Sequence, residues 1–143
     1  MSSARRVSAT RIIHAPPSTI FDLLADARQH QRLDGSTSIT AVVDAPERLF
    51  LGATFSMGMR QGVHYRTKNK VVSFEESKCI AWHHFAQFTW RYDLEEVEGG
   101  TRVTESFNYD KPWALTIILL GYPERNRLAM EATLARLEAI VTA

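Results

Sequence analysis

The end of the chain carries apolar residues at helical spacing. A helix is predicted over residues 123–141, and its apolar stripe consists of Met130, Leu134, Leu137 and Val141, with Leu128 and Ile140 beside it. Charged residues occupy most of the remaining surface of this helix. No other segment predicts a long amphipathic helix, so we expect this one to cover the apolar face of the elements that precede it.

Most of the preceding chain alternates between apolar and polar residues, as strands of a half-exposed antiparallel sheet do. Strands are predicted over residues 7–14, 36–43, 52–60, 80–86, 88–96 and 101–109, with a further strand between 62 and 75. Turn signals separate them, most clearly Gln61-Gly62 and Gly99-Gly100. The sequence therefore predicts one N-terminal strand and about six later antiparallel strands.

The segment between the first two strands predicts helical structure. Tandem prolines at positions 16 and 17 can start a helix, and Ile20, Phe21 and Leu24 share one face of it. We expect this helix to break near residues 25–27, before a second short turn that ends at Asp34-Gly35.

One face of the predicted sheet is mostly aromatic. The other face of the sheet is expected to be exposed to solvent, because it carries Arg66, Lys68, Lys70, Arg91 and Asp93. The aromatic, inner face contains Phe55, Met57, Met59, Tyr65, Thr67, Asn69, Trp82, His84, Trp90, Tyr92, Glu105, Phe107 and Tyr109. Such a wall is either a filled core or the lining of a ligand pocket, and the pattern alone leaves both interpretations open.

The order of elements, the segment IIHAPPSTIFDLLAD and the segment WRYDLEEVEGGTRVTESF resemble the START/Bet v 1-like (SRPBCC) superfamily, and more narrowly its polyketide cyclase/dehydrase and lipid-transport branch. The resemblance covers nearly the whole chain. It implies a single α+β domain over residues 1–143 with a helix-grip fold, in which a curved antiparallel sheet wraps around the C-terminal helix. It also implies a cavity between sheet and helix, usually with an apolar or amphipathic small-molecule ligand.

The polar residues of the inner face are the candidates for chemistry. Glu105 falls among apolar residues, where burial would raise its pKa and make it an acid, a base or a ligand anchor. A position at the rim, or an ion pair with Arg or Lys, is the interpretation favoured by the sequence. His84 is the second catalytic candidate, although a core histidine without chemistry is more common, and Tyr65, Tyr92 and Tyr109 could donate hydrogen bonds to a carbonyl.

Other classes of function find no support in the sequence. A net charge of +1 without a Lys/Arg cluster argues against a nucleic-acid partner. No nucleotide-binding or metal-binding motif occurs, and His83 and His84 would point to opposite sides of a strand, so neither cofactor nor metal is expected. The single cysteine, Cys79, fits a reducing compartment, and no segment resembles a signal peptide or a membrane span. We therefore expect a cytoplasmic protein without stable membrane insertion.

Residues 112–123 are unusually apolar for a connection. They could form the first part of the final helix, kinked at Gly121 and Pro123, or a lid over the cavity, or an exposed patch for a membrane surface or a second subunit. The first interpretation is favoured, and it is compatible with a lid.

Three functions remain from the sequence. The leading one is binding of a lipid-, polyketide- or steroid-like molecule without chemistry. The alternative is a cyclase, dehydratase or isomerase that acts on a polyketide-like carbonyl compound through Glu105 and His84. The third is a module that dimerises through residues 112–123.

Overall fold

The elements follow one another in the order that the sequence predicts: a strand, short helices, six strands and a long C-terminal helix. The computed structural model describes residues 5–84 and 87–143 of the chain. In them the elements are β1 (Arg6–Ile13), α1 (Pro17–Leu24), α2 (His30–Leu33), β2 (Ile39–Asp44), β3 (Thr54–Gln61), β4 (Val63–Glu75), β5 (Cys79–His83), β6 (Thr89–Val97), β7 (Gly100–Asn108), α3 (Leu115–Leu119) and α4 (Tyr122–Val141). Single turns of 3₁₀ helix precede α2 at Ala27–Gln29 and α3 at Pro112–Ala114. The strand predicted over 80–86 corresponds to β5, and its last two predicted residues, 85 and 86, lie outside the described residues.

The seven strands form one antiparallel sheet in the order β1-β7-β6-β5-β4-β3-β2. Helix α4 packs across β1 and β7. The helix-grip fold class predicted from the sequence is confirmed.

The core lies between the concave face of the sheet and the helices. Ile20, Phe21 and Leu24 of α1 are fully buried, and so are Leu134 and Leu137 of α4 at 1% exposure or less. A fully buried side chain of this kind contributes about 1.5–3 kcal/mol relative to an exposed one. The helical stripes identified in the sequence therefore hold both helices against the sheet.

The break between α1 and α2 brings the α2–β2 loop against α4. Gly35 of this loop lies so close to the helix that an added Cβ would be 2.7 Å from the Cβ atom of Ala132 and closer still to the Ala129 carbonyl oxygen. Its backbone N–H donates a hydrogen bond to the Thr133 hydroxyl at 2.8 Å. The absence of a side chain at position 35 thus allows the loop and α4 to meet, and this meeting closes one side of the site described below.

The apolar segment before α4 is helical, but it is separate from α4. It forms α3, and Gly121 then takes a left-handed conformation with φ of 77° before α4 begins. Pro123 lies in the first turn of α4, where proline is tolerated, so the break occurs at Gly121. Large apolar side chains of this segment are exposed, namely those of Trp113, Leu115, Leu119 and Leu120. No helix in the described ranges is long and apolar enough to cross a membrane.

Candidate functional site

A cavity of about 150 Å³ lies between the inner face of the sheet, α2 and α4. Nine of the residues placed on the inner face by the sequence pattern contribute to its wall: Met57, Met59, Thr67, Asn69, Trp82, His84, Trp90, Tyr92 and Glu105. They come from five neighbouring strands, β3 to β7, and from the residue that follows β5. The two-residue period of each strand brings these side chains to one face.

The other four predicted site residues lie outside this wall. Phe55 is buried beside it, with its ring against the rings of His30 and Trp82. Phe107 is buried next to Trp90, at 4.6 Å between ring centroids, and Tyr109 stacks on Phe107. Tyr65 is 36% exposed near the end of the β3–β4 hairpin. Two of the four, Phe55 and Phe107, are therefore buried neighbours of Trp82 and Trp90 and extend the aromatic face beyond the cavity.

Several wall residues lie outside the predicted set, because they belong to helices, loops or the end of a strand. The α2 region and the following loop contribute His30, Asp34 and Ser36, and the end of β3 contributes Gln61. Helix α4 contributes Asn126, Ala129, Met130 and Thr133. The α4 residues lie near the predicted apolar stripe and could have been found from helical spacing, whereas no sequence signal places His30 or Asp34 beside the sheet.

Glu105 is buried in the cavity wall at 5% exposure. Its Oε1 atom has no hydrogen-bond partner among the described residues, and no salt bridge to Glu105 is found among them. Burial raises the pKa of Glu105 to about 8; interaction with the Tyr92 hydroxyl opposes the rise, and the charge of Asp34 adds to it. The expectation of a rim position or an ion pair is therefore wrong, because Glu105 pairs across the strands with the inward-facing Tyr92.

Tyr92 shares this environment. Burial, and secondly the proximity of Glu105, raise the pKa of the Tyr92 hydroxyl well above its ordinary value. The phenol therefore keeps its proton at physiological pH and remains a hydrogen-bond donor. Glu105 and Tyr92 interact with each other and are both protonated at neutral pH, so they form a neutral polar pair in the cavity wall.

His30 forms the next part of the wall. Its Nε2 atom lies 2.9 Å from the carbonyl oxygen of Leu24, and its ring stacks on Trp82 at 5.0 Å between centroids. Burial lowers the pKa of His30, so the ring is neutral at physiological pH. A neutral ring that donates through Nε2 keeps Nδ1 as an acceptor.

Asp34 places a negative charge beside these groups. Its carboxylate accepts hydrogen bonds from the backbone N–H groups of Ser36, Ser38 and Ile39 at 2.8–3.0 Å. These bonds fix the carboxylate at the cavity wall, where its charge contributes to the raised pKa of Glu105. The cavity wall therefore carries one carboxylate charge, that of Asp34, on the side of the α2–β2 loop.

His84 lies at the cavity wall just after β5 and is partly buried. Burial lowers its pKa, and the neighbouring His83 adds to this effect. Its ring also packs edge-on against Phe88. The ring of His84 is therefore neutral at physiological pH and could accept or donate one proton at the cavity.

The cavity adjoins an open cleft of about 740 Å³ on the surface. The walls of the two spaces share Ser36, Gln61, Asn126 and Ala129, so these residues form the neck between them. The cleft lies between the α2–β2 loop, the β3–β4 hairpin and the first turns of α4. A ligand could enter the cavity by this route.

Comparisons with known proteins agree with this architecture. A model of the family described as "Polyketide cyclase / dehydrase and lipid transport" matches residues 4–142. The chain is 32% identical to the "Uncharacterized protein Rv0088" of Mycobacterium tuberculosis in an alignment 139 residues long that covers 92% of this chain. The chain spans 62% of the length of that relative.

Solved structures show the same fold. Protein NE0264 from Nitrosomonas europaea superposes with a TM-score of 0.75 at 14% identity, covering 99% of this chain and 97% of that one. The Polyketide_cyc-like protein Cgl2372 from Corynebacterium glutamicum superposes with a TM-score of 0.64 at 20% identity, covering 98% and 93%. At these identities the likeness concerns the fold alone.

Proposed function

The chain belongs to the polyketide cyclase / dehydrase and lipid transport family, and from this premise we propose that it binds one small hydrophobic or amphipathic molecule between the sheet and α4. The family resemblance predicted from the sequence is thereby confirmed, whereas the ligand is part of the proposal. The observation that carries it is the cavity itself. Trp82, Trp90 and Met57 supply apolar surface, and Glu105 and Tyr92 supply a few oriented polar atoms, which is the usual composition of a ligand site.

The size of the cavity narrows the class of ligand. Its volume of about 150 Å³ is below the roughly 300–1,000 Å³ of pockets that enclose drug-sized ligands. An apolar cavity of about 150 Å³ is large enough for benzene. We therefore favour a single ring or a short chain inside the cavity, with the remainder of the ligand in the cleft. A steroid-like or fused-ring molecule would require the cavity to expand.

Saturation-transfer NMR with p-cresol tests this proposal. We expect transfer from the protein to the cresol ring, and we expect Asn126→Phe to abolish it by filling the neck between cleft and cavity. Ala139→Phe is the matched control, because Ala139 is exposed near the other end of α4. No transfer in the wild type, or equal transfer in the wild type and Asn126→Phe, would contradict the proposal.

A second candidate function is proton-transfer catalysis on a carbonyl compound, such as a cyclisation, dehydration or isomerisation. The observation that favours it is Glu105, which faces the cavity and has a pKa raised to about 8 by burial. A group with a pKa near the working pH can both give and take a proton efficiently. His84 lies on the same wall as the second candidate.

Hydrogen–deuterium exchange tests this second function directly. Enolisation of 4-hydroxyphenylacetone in D₂O would replace the protons next to its carbonyl group by deuterium, which NMR detects. Catalysis through Glu105 predicts exchange faster than in buffer, and its loss in Glu105→Gln while p-cresol still binds. If the wild-type protein does not accelerate the exchange above its rate in buffer, or if Glu105→Gln accelerates it equally, catalysis through Glu105 is contradicted. Ligand binding then remains the proposed function.

A further inference from the structure

The cleft beside the cavity has a positive wall. Arg60 at the end of β3 and Arg125 in the first turns of α4 both line it, and no acidic residue of the described chain does. Arg60 and Arg125 form no ion pair with another described residue, whereas the nearby Arg127 binds both Glu124 and Glu131. Two arginines are thus left without a counter-charge at the entrance to the cavity.

The local structure orients this positive charge towards the cleft. The Arg125 guanidinium lies over the ring of Tyr122, 4.4 Å from its centroid, and Tyr122 also lines the cleft. Gly121, which precedes α4, offers no side chain to cap the helix. The N–H groups of the first turn therefore add partial positive charge beside Arg125.

The cavity wall differs from the cleft wall, because it contains carboxyl groups and no Lys or Arg of the described chain. Asp34 and Glu105 are both in the cavity wall, and the Asp34 carboxylate is fixed there by backbone N–H groups. A ligand anion in the cavity would face the Asp34 carboxylate, whereas Glu105 is neutral at physiological pH. No Lys or Arg of the described chain lines the cavity to compensate such an anion. The same anion in the cleft would face Arg60 and Arg125. The charges therefore define one orientation for an anionic ligand.

We propose that the ligand is a small planar acid, whose ring occupies the cavity beside Trp82 and whose anionic group lies in the cleft between Arg60 and Arg125. The inference rests on the proposed binding function and adds the charge and the direction of the ligand. Trp82 and His30, whose rings stack on each other, form an aromatic part of the cavity wall against which the ligand ring can pack. Asn126 and Ser36, at the neck, offer neutral hydrogen-bonding groups to the linking chain.

Calorimetry with 4-hydroxycinnamate and its amide tests the proposal. The two probes have the same ring and chain and differ in charge. We expect the wild type to bind the acid about tenfold more tightly than the amide at low salt, and the preference to shrink as salt is added. The double variant Arg60→Gln/Arg125→Gln should bind acid and amide equally.

Arg66→Gln is the matched control, because Arg66 is exposed on the outer face of β4 and does not line the cleft. It should retain the preference for the acid. Binding of the amide without any preference for the acid, or a preference that survives the double variant, would overturn the assignment of the anion and leave the binding function intact. If neither probe binds while p-cresol does, this inference fails and the binding function stands. If p-cresol does not bind either, both fail.

Discussion

The burial of Glu105 makes the stability of the protein depend on pH in a way that one substitution should remove. The folded protein holds this carboxyl with a pKa raised from 4.5 to about 8. As pH rises above 4.5, the carboxyl ionises in the unfolded chain and stays protonated in the folded protein. The unfolded chain then binds fewer protons than the folded protein, so the free energy of unfolding falls with rising pH until Glu105 also ionises near pH 8.

The size of the effect follows from the two pKa values. A tenfold change in proton affinity corresponds to about 1.4 kcal/mol, so the full change from 4.5 to about 8 corresponds to about 5 kcal/mol. Between pH 5 and pH 8, the ionisation of this one group lowers the free energy of unfolding by about 3–4 kcal/mol. In a protein of this size, that corresponds to about 10 °C in melting temperature.

Glu105→Gln isolates this contribution, because glutamine has the same shape and no titration. Urea unfolding at pH 5, 6, 7 and 8 gives the free energy of unfolding of both proteins. We expect the variant to gain about 3–4 kcal/mol relative to the wild type between pH 5 and pH 8. The difference in the free energy of unfolding between Glu105→Gln and the wild type at a single pH is less informative. A buried amide with incomplete hydrogen bonds costs about 1–3 kcal/mol at every pH.

The difference between the two proteins cancels the other titrating groups, including His30 and His84, whose burial gives the opposite slope below neutral pH. Glu98→Gln, at an exposed position in the β6–β7 turn, serves as the control and should parallel the wild type. A stability difference between Glu105→Gln and the wild type that stays constant from pH 5 to pH 8 would refute the assignment of a buried carboxyl without an ion pair.

Three further predictions concern the elements around the site. Gly35→Ala should lower the free energy of unfolding by about 1–3 kcal/mol in urea, since the new methyl group would meet the Ala129 carbonyl; unchanged stability would contradict the close contact. His30→Phe should weaken the loss of stability on acidification below pH 6.5, because burial lowers the pKa of the folded histidine and acid therefore favours the unfolded chain; an unchanged pH slope in thermal melts would exclude this role. If α3 contacts a second copy of the chain, sedimentation velocity should show a mass that rises with concentration in the wild type and not in Leu119→Glu, and a monomer at every concentration would rule this contact out.

The sheet and its inner face could be predicted because strand periodicity is a local property. Alternation along β6 and β7 is enough to place Trp90, Tyr92 and Glu105 on one face, and the pairing of these two strands has them there. The buried stripe of α4 follows in the same way from helical spacing. Both patterns involve residues only a few positions apart, so they can be recognised from the sequence without knowledge of the tertiary structure.

The rest of the site depends on contacts between distant segments. His30 reaches the wall because α2 folds back beside Trp82, and no local pattern encodes that contact. The sequence identifies Asp34-Gly35 as a turn, whereas the packing of Gly35 on α4 and the position of Asp34 at the cavity are tertiary effects. The absence of a cation near Glu105 among the described residues is likewise a property of the assembled sheet, and this is why the sequence pattern predicts its environment wrongly.

The methyl groups of methionine provide the most direct test of ligand binding in the cavity. The chain has four methionines, and three of them, Met57, Met59 and Met130, line the cavity. A ¹³C-methyl-methionine spectrum recorded during a titration with p-cresol should show these three signals shift together and saturate at one molecule per chain. If they stay unchanged while p-cresol binds elsewhere on the protein, or if p-cresol does not bind at all, the cavity is not the binding site that we propose.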